Sequence, residues 1–253
     1  MNSDWPLNED YQQLYAKYLQ SGTSPQTMLE RGEFKPGDRV LDLAAGCLLR
    51  VSKAAFEAGA GYVVAIDPTL YHLTVYSDDL RHYSVIECFP PLAKLFGSED
   101  WQVDDNIHHI YLDSHTVEWS LKHYSDFPDV QFDVVICQQA INYWFNKECI
   151  KHLVKLIVPG KKLVFNTFYR KPPTYPDWKT YIIDGKVYGE AFYRVDYRDK
   201  SIVYHWQAKE GIKPHFTAFR YITRNEFVET LEPYFKVIRT TEYNSDLYVC
   251  VKK

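Results

Sequence analysis

The sequence predicts an α/β fold built on a doubly wound, mostly parallel sheet. Strand-like apolar runs alternate with helical patterns through residue 167, which is typical of parallel sheets with right-handed crossovers. The first apolar run leads directly into a turn of small residues, and the second ends on the carboxylate of Asp67. Ligands of such sheets bind outside the carboxyl ends of the strands, so we expect a ligand site where these two runs end.

The N-terminal part of the chain predicts two helices and the first strand–helix–strand unit. Tyrosines recur at helical spacing in residues 8–20, which indicates an amphipathic helix. Ser24 followed by Pro25 is typical of a helix start, and Gly32 of its end. The first two strands and the helix between them are predicted at residues 39–43, 63–66 and 51–58.

The middle of the chain predicts the rest of the parallel sheet. Residues 67–113 exceed a minimal crossover, so we expect a helix with a surface insertion there. Asn146 is placed to cap a helix, after which Pro159–Gly160 is expected to turn the chain into strand five. Strands three, four and five are predicted at residues 107–112, 132–137 and 162–166.

After residue 167 the pattern changes from alternating helices and strands to strands in pairs. Residues 191–197 and 201–207 are joined by Arg-Asp-Lys, which predicts a β-hairpin. Thr223 and Glu226 have the spacing of a capping box that opens a helix through Leu231. Two closing strands are predicted at residues 235–241 and 247–252. No repeat or linker divides the chain, so one domain is expected.

Composition limits the classes of partner and compartment. The chain has 253 residues, is 46% hydrophobic and carries a net charge of -4, which makes nucleic acid an unfavourable partner. Its five scattered cysteines form no Cys-x-x-Cys pair, which favours reduced thiols. We find no signal peptide and no apolar run of the ~20 residues that a membrane span needs. A soluble cytoplasmic protein with no membrane partner is therefore expected.

These segments together resemble the class I S-adenosylmethionine (SAM) dependent methyltransferases. The resemblance covers residues 34–167 and is carried by Asp42-Leu-Ala44-Ala-Gly46 after strand one, by Asp67 and by Asp113. Phe-Asp-Val-Val-Ile-Cys in strand four and the Pro-Gly-Lys-Lys-Leu-Val turn add to it. It implies a seven-stranded sheet in a single domain over residues 1–253. Within that domain it implies an N-terminal helical lid (1–33), a SAM-binding core (34–168) and an aromatic-rich substrate lid with closing strands (169–253), with the hairpin inserted after strand five.

The same resemblance implies SAM as the cofactor and assigns its contacts. The turn after strand one would shape the methionine end, the acid after strand two would bind both ribose hydroxyls, and the acid after strand three would lie near the adenine amino group. An N-terminal helix often covers such sites. The implied cofactor-binding residues are Tyr15, Asp42, Ala44, Gly46, Asp67, Pro68, Asp113, Ser114 and Gln138.

Methyl transfer from a sulfonium needs orientation more than acid–base chemistry, so no catalytic triad is expected. Tyr143 follows strand four, where the family often meets its substrate, and His205 and His215 are candidates for handling a proton. Each histidine is also compatible with an ordinary hydrogen-bonded position in a sheet. The clustered histidines His108 and His109 predict no metal site, because adjacent strand side chains point to opposite faces.

The leading hypothesis is methyl transfer from SAM to nitrogen or oxygen of a small molecule. Aromatic residues dense after residue 174 could line its pocket or simply build a core. One alternative is an enzyme similar to mRNA cap guanine-N7 methyltransferases, although Asn142 stands where those carry a histidine. Another is a non-catalytic binding or scaffold subunit, supported by Leu48 in place of the third glycine. A dinucleotide-binding fold has a glycine at this position, close to the pyrophosphate, so Leu48 disfavours that fold. Oligomeric state stays open.

Overall fold

The computed structural model of the protein describes residues 23–45, 50–66, 121–122, 125, 131–167, 172–183, 185–198, 200–210, 212–242 and 245–253. The described helices are α1 (Pro25–Arg31), α2 (Arg50–Glu57), α3 (Ile141–Trp144), α4 (Lys147–Leu156) and α5 (Arg224–Leu231). The described strands are β1 (Arg39–Leu43), β2 (Tyr62–Ile66), β3 (Phe132–Cys137), β4 (Ile157–Asn166), β5 (Asp177–Ile183), β6 (Lys186–Asp196), β7 (Ser201–Lys209), β8 (Ile212–Arg220), β9 (Phe235–Glu242) and β10 (Ser245–Lys252).

Six of these strands form the main sheet, in the order β2-β1-β3-β4-β10-β9. The pairs β1–β2, β1–β3 and β3–β4 are parallel, whereas β10 runs antiparallel to both β4 and β9. The predicted α/β architecture with a mostly parallel sheet is confirmed, and so are its two closing strands. The predicted strand over residues 107–112 and the predicted helix over residues 8–20 lie outside the described residues.

Apolar side chains cover both faces of the main sheet. Alternate strand residues point to opposite faces, so Val40 belongs to one buried cluster and Leu41 to the other. Strands buried on both sides read as continuous apolar runs, which is why β1 and β3 were predictable from sequence with their observed bounds. In the described part of the chain, no helix is long and apolar enough to cross a membrane.

The start of β4 differs from the sequence prediction. Pro159–Gly160 was expected to turn the chain into a strand at residue 162, but β4 already begins at Ile157. The register with β3 shifts between Phe132 and Val134, and Gly160 has φ +79° at the irregularity. Glycine adopts this left-handed conformation without steric cost, so Pro159–Gly160 lies in an irregular part of β4 that precedes the regular pairing from Lys162 onwards.

The predicted helix starts are confirmed by their capping bonds. The side chain of Ser24 accepts from the backbone N–H of Thr27 at 3.1 Å, before α1. Asn146 Oδ1 accepts from the N–H of Cys149 at 2.8 Å, before α4. Before α5, the Thr223 hydroxyl accepts at 3.2 Å from the N–H of Glu226, whose own carboxylate binds Arg220.

A second sheet is larger than the hairpin that the sequence predicts. The two predicted strands correspond to the antiparallel neighbours β6 and β7, which are flanked by β5 and β8 in the order β5-β6-β7-β8. Sequence reasoning missed both flanking strands. Pro214 lies in β8, and proline lowers the expectation of a strand although it is tolerated at a sheet edge, where β8 lies.

Candidate active site

The carboxyl ends of β1 and β2 lie side by side at one edge of the main sheet. Their parallel register pairs Leu43 with Ile66, and the N–H of Ala45 donates to the carbonyl oxygen of Ile66 at 3.2 Å. Ala44 has φ +54°, a conformation that favours glycine. Ala44 therefore adopts the left-handed conformation directly after β1, in the segment where the small-residue motif predicts a turn.

Asp42 connects this edge to the first helical turn that follows it. The carboxylate is buried, and its Oδ2 accepts from Ser52 twice, from the N–H at 3.0 Å and from the hydroxyl at 2.7 Å. Ser52 lies in the first turn of α2, where unpaired backbone N–H groups favour a negative charge. Asp42 thus holds α2 against the end of β1, and its predicted contact with a cofactor stays a prediction.

Two hydrogen bonds hold the loop after β3 in place. Gln138 Nε2 donates to the carbonyl oxygen of Thr23 at 2.7 Å, which joins the loop to the segment before α1. Gln139 has φ +58°, and its N–H donates to Asn166 Oδ1 at 2.7 Å. A non-glycine residue in this conformation persists where its surroundings hold it, often at functional sites. Asn166 Nδ2 is buried without a partner among the described residues.

Helix α3 joins the main sheet to the second sheet. The Tyr143 ring lies 5.3 Å from the Phe219 ring of β8, with the ring planes tilted by 58°. Next to it, Asn142 Nδ2 donates to the carbonyl oxygen of Arg220 at 3.3 Å. Because α3 directly follows the loop at Gln139, these contacts bring β8 close to the carboxyl edge of the main sheet.

The face of the second sheet that carries Phe219 is its inner face. Cross-strand partners share a face, and the register pairs Arg194 with Val203 and Val203 with Phe219. Two residues further along the strands, Phe192 pairs with His205 on the same face, and then Glu190 with Gln207. Several inner-face side chains are almost fully buried, namely Tyr188, Arg194, Val203, His205, Gln207 and Phe219.

His205 lies in an aromatic and acidic setting on this inner face. Its ring stacks on Phe192 with 3.7 Å between centroids, and its Nε2 is 3.8 Å from Glu190 Oε2. The other carboxylate oxygen of Glu190 accepts from the Tyr181 hydroxyl at 3.0 Å. Gln207 Oε1 is buried without a hydrogen-bond partner among the described residues.

The three predicted catalytic residues, Tyr143 for contact with the substrate and His205 and His215 for handling a proton, fall on this sheet or beside it. Tyr143 contacts the inner face through Phe219, and His205 belongs to that face two residues along from Val203. His215 lies in β8 opposite Gln207 in the register. That Tyr143 and His205 face one shared cavity stays a prediction. The roles of all three residues stay predictions too.

Of the predicted cofactor-binding residues, some lie at the carboxyl edge of the main sheet and others lie outside the described residues. Asp42, Ala44 and Gln138 lie at the carboxyl edge of the main sheet. The remaining cofactor candidates, Tyr15, Gly46, Asp67, Pro68, Asp113 and Ser114, lie outside the described residues. Sequence reasoning missed Glu190 and Gln207. Period-two spacing puts Gln207 on the same face as His205, but nothing in the sequence indicates that this face is buried.

The chain is similar to known proteins in its fold. No protein-family model and no curated protein sequence matches the chain. Among solved structures it is similar to a SAM-dependent methyltransferase from Clostridium acetobutylicum ATCC 824, with TM-score 0.59, 13% identity and coverage of 96% of this chain and 97% of that one. The chain has the class I SAM-dependent methyltransferase fold.

Two further solved structures share this methyltransferase fold. SAM-bound CalS10, an amino pentose methyltransferase from Micromonospora echinaspora involved in calicheamicin biosynthesis, has TM-score 0.55 and 12% identity, covering 97% of this chain and 92% of that one. The CcbJ methyltransferase from Streptomyces caelestis has TM-score 0.52 and 14% identity, covering 100% and 98%. Both similarities extend over nearly the whole of each chain.

Proposed function

We propose that the protein is a SAM-dependent methyltransferase that methylates nitrogen or oxygen of a small molecule. The acceptor would lie between the carboxyl edge of the main sheet and the inner face of the second sheet. The observation that carries this proposal is the contact of Tyr143 with Phe219, because it joins a polar, buried sheet face to the edge where ligands bind in open α/β sheets.

The described residues fit a cofactor at this edge. The left-handed conformation of Ala44 and the two Asp42–Ser52 bonds, which hold the end of β1 close to the start of α2, support a site for the methionine end of SAM. The residues that would hold SAM are those implied by the resemblance, with Asp67 on the ribose and Asp113 near the adenine. When bound, SAM supplies a methyl carbon whose bond to sulfur breaks as the lone pair of the acceptor forms the new bond.

The chain's own residues would orient the acceptor and receive its proton. Holding two reacting groups in line can supply about 7–11 kcal/mol of the barrier reduction. Tyr143 is placed to position the acceptor where α3 meets β8, and Nε2 of His205 is the candidate to accept a proton. Hydrogen bonds of catalytic groups are often long before the substrate binds, which suits the 3.8 Å between His205 and Glu190.

Several finer features belong to the same proposal. We propose one domain over residues 1–253, in which residues 1–33 cover the cofactor and residues 169–253 cover the acceptor. The small-molecule acceptor is supported by CalS10, which is an amino pentose methyltransferase. We also propose a cytoplasmic location, supported by the scattered cysteines, of which Cys137, Cys149 and Cys250 are buried.

Isothermal calorimetry with SAM and the Asp67→Ala variant tests the cofactor part. Asp67 would accept two charge-assisted hydrogen bonds, each worth about 1.5–3 kcal/mol, so its removal should weaken binding by at least tenfold. Glu57→Ala, at the exposed end of α2, is the matched control and should bind as the wild type does. Absence of SAM binding by the wild type would overturn the proposal, and unchanged affinity in Asp67→Ala would remove Asp67 from the site.

The scaffold alternative is favoured by one feature, Leu48 at the position of the third glycine. Labelled SAM that binds tightly but transfers no methyl group to any component of a metabolite extract would support it. The cap-methyltransferase alternative is less well supported, because Asn142 donates its amide to the Arg220 carbonyl and so connects two parts of the protein.

A further inference from the structure

We infer that Glu190 and Gln207 recognise the acceptor, and that this acceptor presents a basic nitrogen that binds as an ammonium ion. The inference rests on the proposed function and concerns two residues outside the predicted site. They are direct cross-strand partners on the inner face, so their Cβ atoms are about 4.5–5.5 Å apart. We call them, together with His205, the acceptor row.

The acceptor row is rich in hydrogen-bond acceptors. Glu190 contributes a carboxylate that is largely buried, its side chain being 13% exposed. Gln207 contributes an amide oxygen that is buried without a partner among the described residues. Leaving such an oxygen unpaired lowers stability, so it is expected where a ligand supplies the missing donor.

An ammonium ion matches this row better than a hydroxyl group does. It brings up to three donors and a positive charge, whereas a hydroxyl brings one donor and no charge. A buried carboxylate attracts a cation strongly because the surrounding dielectric constant is low. Phe192 stacks on His205 beside the carboxylate, and a ring face adds cation–π attraction within about 6 Å of its centroid.

The acceptor row also provides the next step after binding. An ammonium ion has no lone pair and must lose one proton before its nitrogen can form a bond to carbon. Nε2 of His205, 3.8 Å from Glu190 Oε2, is the nearest described base on the row and takes that proton. The carboxylate of Glu190 then stabilises the protonated imidazole, so recognition and deprotonation use the same three side chains.

A binding panel tests the inference without knowledge of the natural acceptor. Propylamine, cyclohexylamine and D-glucosamine are each compared with the alcohol or sugar of the same skeleton: propanol, cyclohexanol and D-glucose. Binding to the full chain saturated with S-adenosylhomocysteine is measured by calorimetry at pH 7.5. We expect at least one amine to bind ten times more tightly than its neutral partner.

Two variants locate this preference on the acceptor row. Glu190→Gln keeps an oxygen for the Tyr181 hydroxyl but removes the charge, and it should abolish the preference for the amine. Gln207→Met should weaken amine binding several-fold. Glu210→Gln changes an exposed carboxylate of the same sheet and should leave the preference intact. Thermal unfolding of each variant confirms that the fold is retained.

The outcomes separate this inference from the proposed function. Equal binding of amines and neutral partners, or a preference that survives Glu190→Gln, overturns the inference even if SAM binds and Asp67→Ala abolishes that binding. Absence of SAM binding overturns the proposed function. An amine preference that depends on Glu190 in such a protein would still establish the row as a cation site.

Discussion

The two sheets distribute polar and apolar side chains in opposite ways. In the main sheet, β1 and β3 are apolar on both faces and buried, and polar contacts gather at the carboxyl edge around Asp42 and Gln139. In the second sheet the covered inner face holds Arg194, His205 and Gln207, while apolar residues are exposed on the opposite, outer face.

This second arrangement departs from the usual pattern of an antiparallel sheet, because polar side chains share the covered face with Val203 and Phe219. Such sheets normally bury the apolar face and present the polar face to water. Here the outer face exposes Trp178, Ile182, Val187 and Trp206. Burying polar side chains lowers stability unless each finds a partner, so the inner face of the second sheet is expected to add less to stability than the apolar faces of β1 and β3 do.

The largest expected difference between the two sheets is in the free energy of unfolding that is lost when one aromatic side chain of each sheet is removed. Phe165 of β4 is fully buried and stacks on Tyr248 with 4.7 Å between centroids. Phe165→Ala should lower the free energy of unfolding by about 3–5 kcal/mol, because it removes a large apolar contact and leaves a cavity. Urea denaturation followed by far-ultraviolet circular dichroism measures the change.

The matched variant in the second sheet is Trp178→Ala. This ring is 57% exposed on the outer face, and its loss should cost no more than about 0.5 kcal/mol. A cost comparable to that of Phe165→Ala would show that the outer face is covered in solution, and the contrast between the two sheets would fail.

Two serine–aspartate bonds give the next test. The Ser52 hydroxyl donates to the buried Asp42 carboxylate at 2.7 Å, and Ser52→Ala should cost about 1.5–3 kcal/mol. The Ser201 hydroxyl donates to Asp196 at 2.6 Å on the exposed end of the second sheet, where Ser201→Ala should cost less than about 1 kcal/mol. Denaturation of both variants under one set of conditions measures the difference, and equal costs would contradict it.

The sequence predicted features whose signal is local. The apolar runs of β1 and β3 and the caps at Ser24, Asn146 and Thr223 depend on neighbouring residues, and the structure confirms them. Family resemblance added the order of motifs along the main sheet.

The features missed depend on distant parts of the chain. Edge strands β5 and β8 make ladder bonds on one side only, so their sequences need not show a clear alternation. The burial of Gln207 arises when the second sheet packs, and no local pattern reports it. The bond from Ser52 to Asp42 spans ten residues and requires both the strand end and the helix in place.

A smaller difference in stability is expected for variants of residues in the left-handed backbone conformation, one residue next to each sheet. Ala44 has φ +54°, and left-handed geometry costs a non-glycine residue about 1–2 kcal/mol. Ala44→Gly should therefore stabilise the protein by about 0.5–1 kcal/mol after the greater freedom of glycine in the unfolded chain is counted. Ala45→Gly, whose φ is not positive, should instead destabilise it, and thermal unfolding measures both.

The corresponding position in the second sheet is Gly185, between β5 and β6. Its φ is +74°, and a Cβ added there would meet nothing within 4 Å. Gly185→Ala should thus cost about 1 kcal/mol through backbone conformation alone. If Ala44→Gly destabilises the protein, the turn after β1 is held by the alanine methyl group rather than strained by it.

The smallest effect concerns Tyr248 in the main-sheet core. Burial raises its pKa to about 12, and its hydroxyl has no hydrogen-bond partner among the described residues. The folded state therefore keeps a proton that the unfolded chain releases near pH 10. The contribution of this proton to the stability of the folded state is complete below pH 10 and is lost as the pH rises towards 12.

Tyr248→Phe should be neutral or up to about 1 kcal/mol stabilising at pH 7, and its advantage should grow above pH 10. Urea denaturation at pH 7 and pH 10.5 measures this, with Tyr175→Phe, whose side chain is 66% exposed, as the control. A Tyr248→Phe variant that loses stability at pH 7 would show that the hydroxyl has a partner.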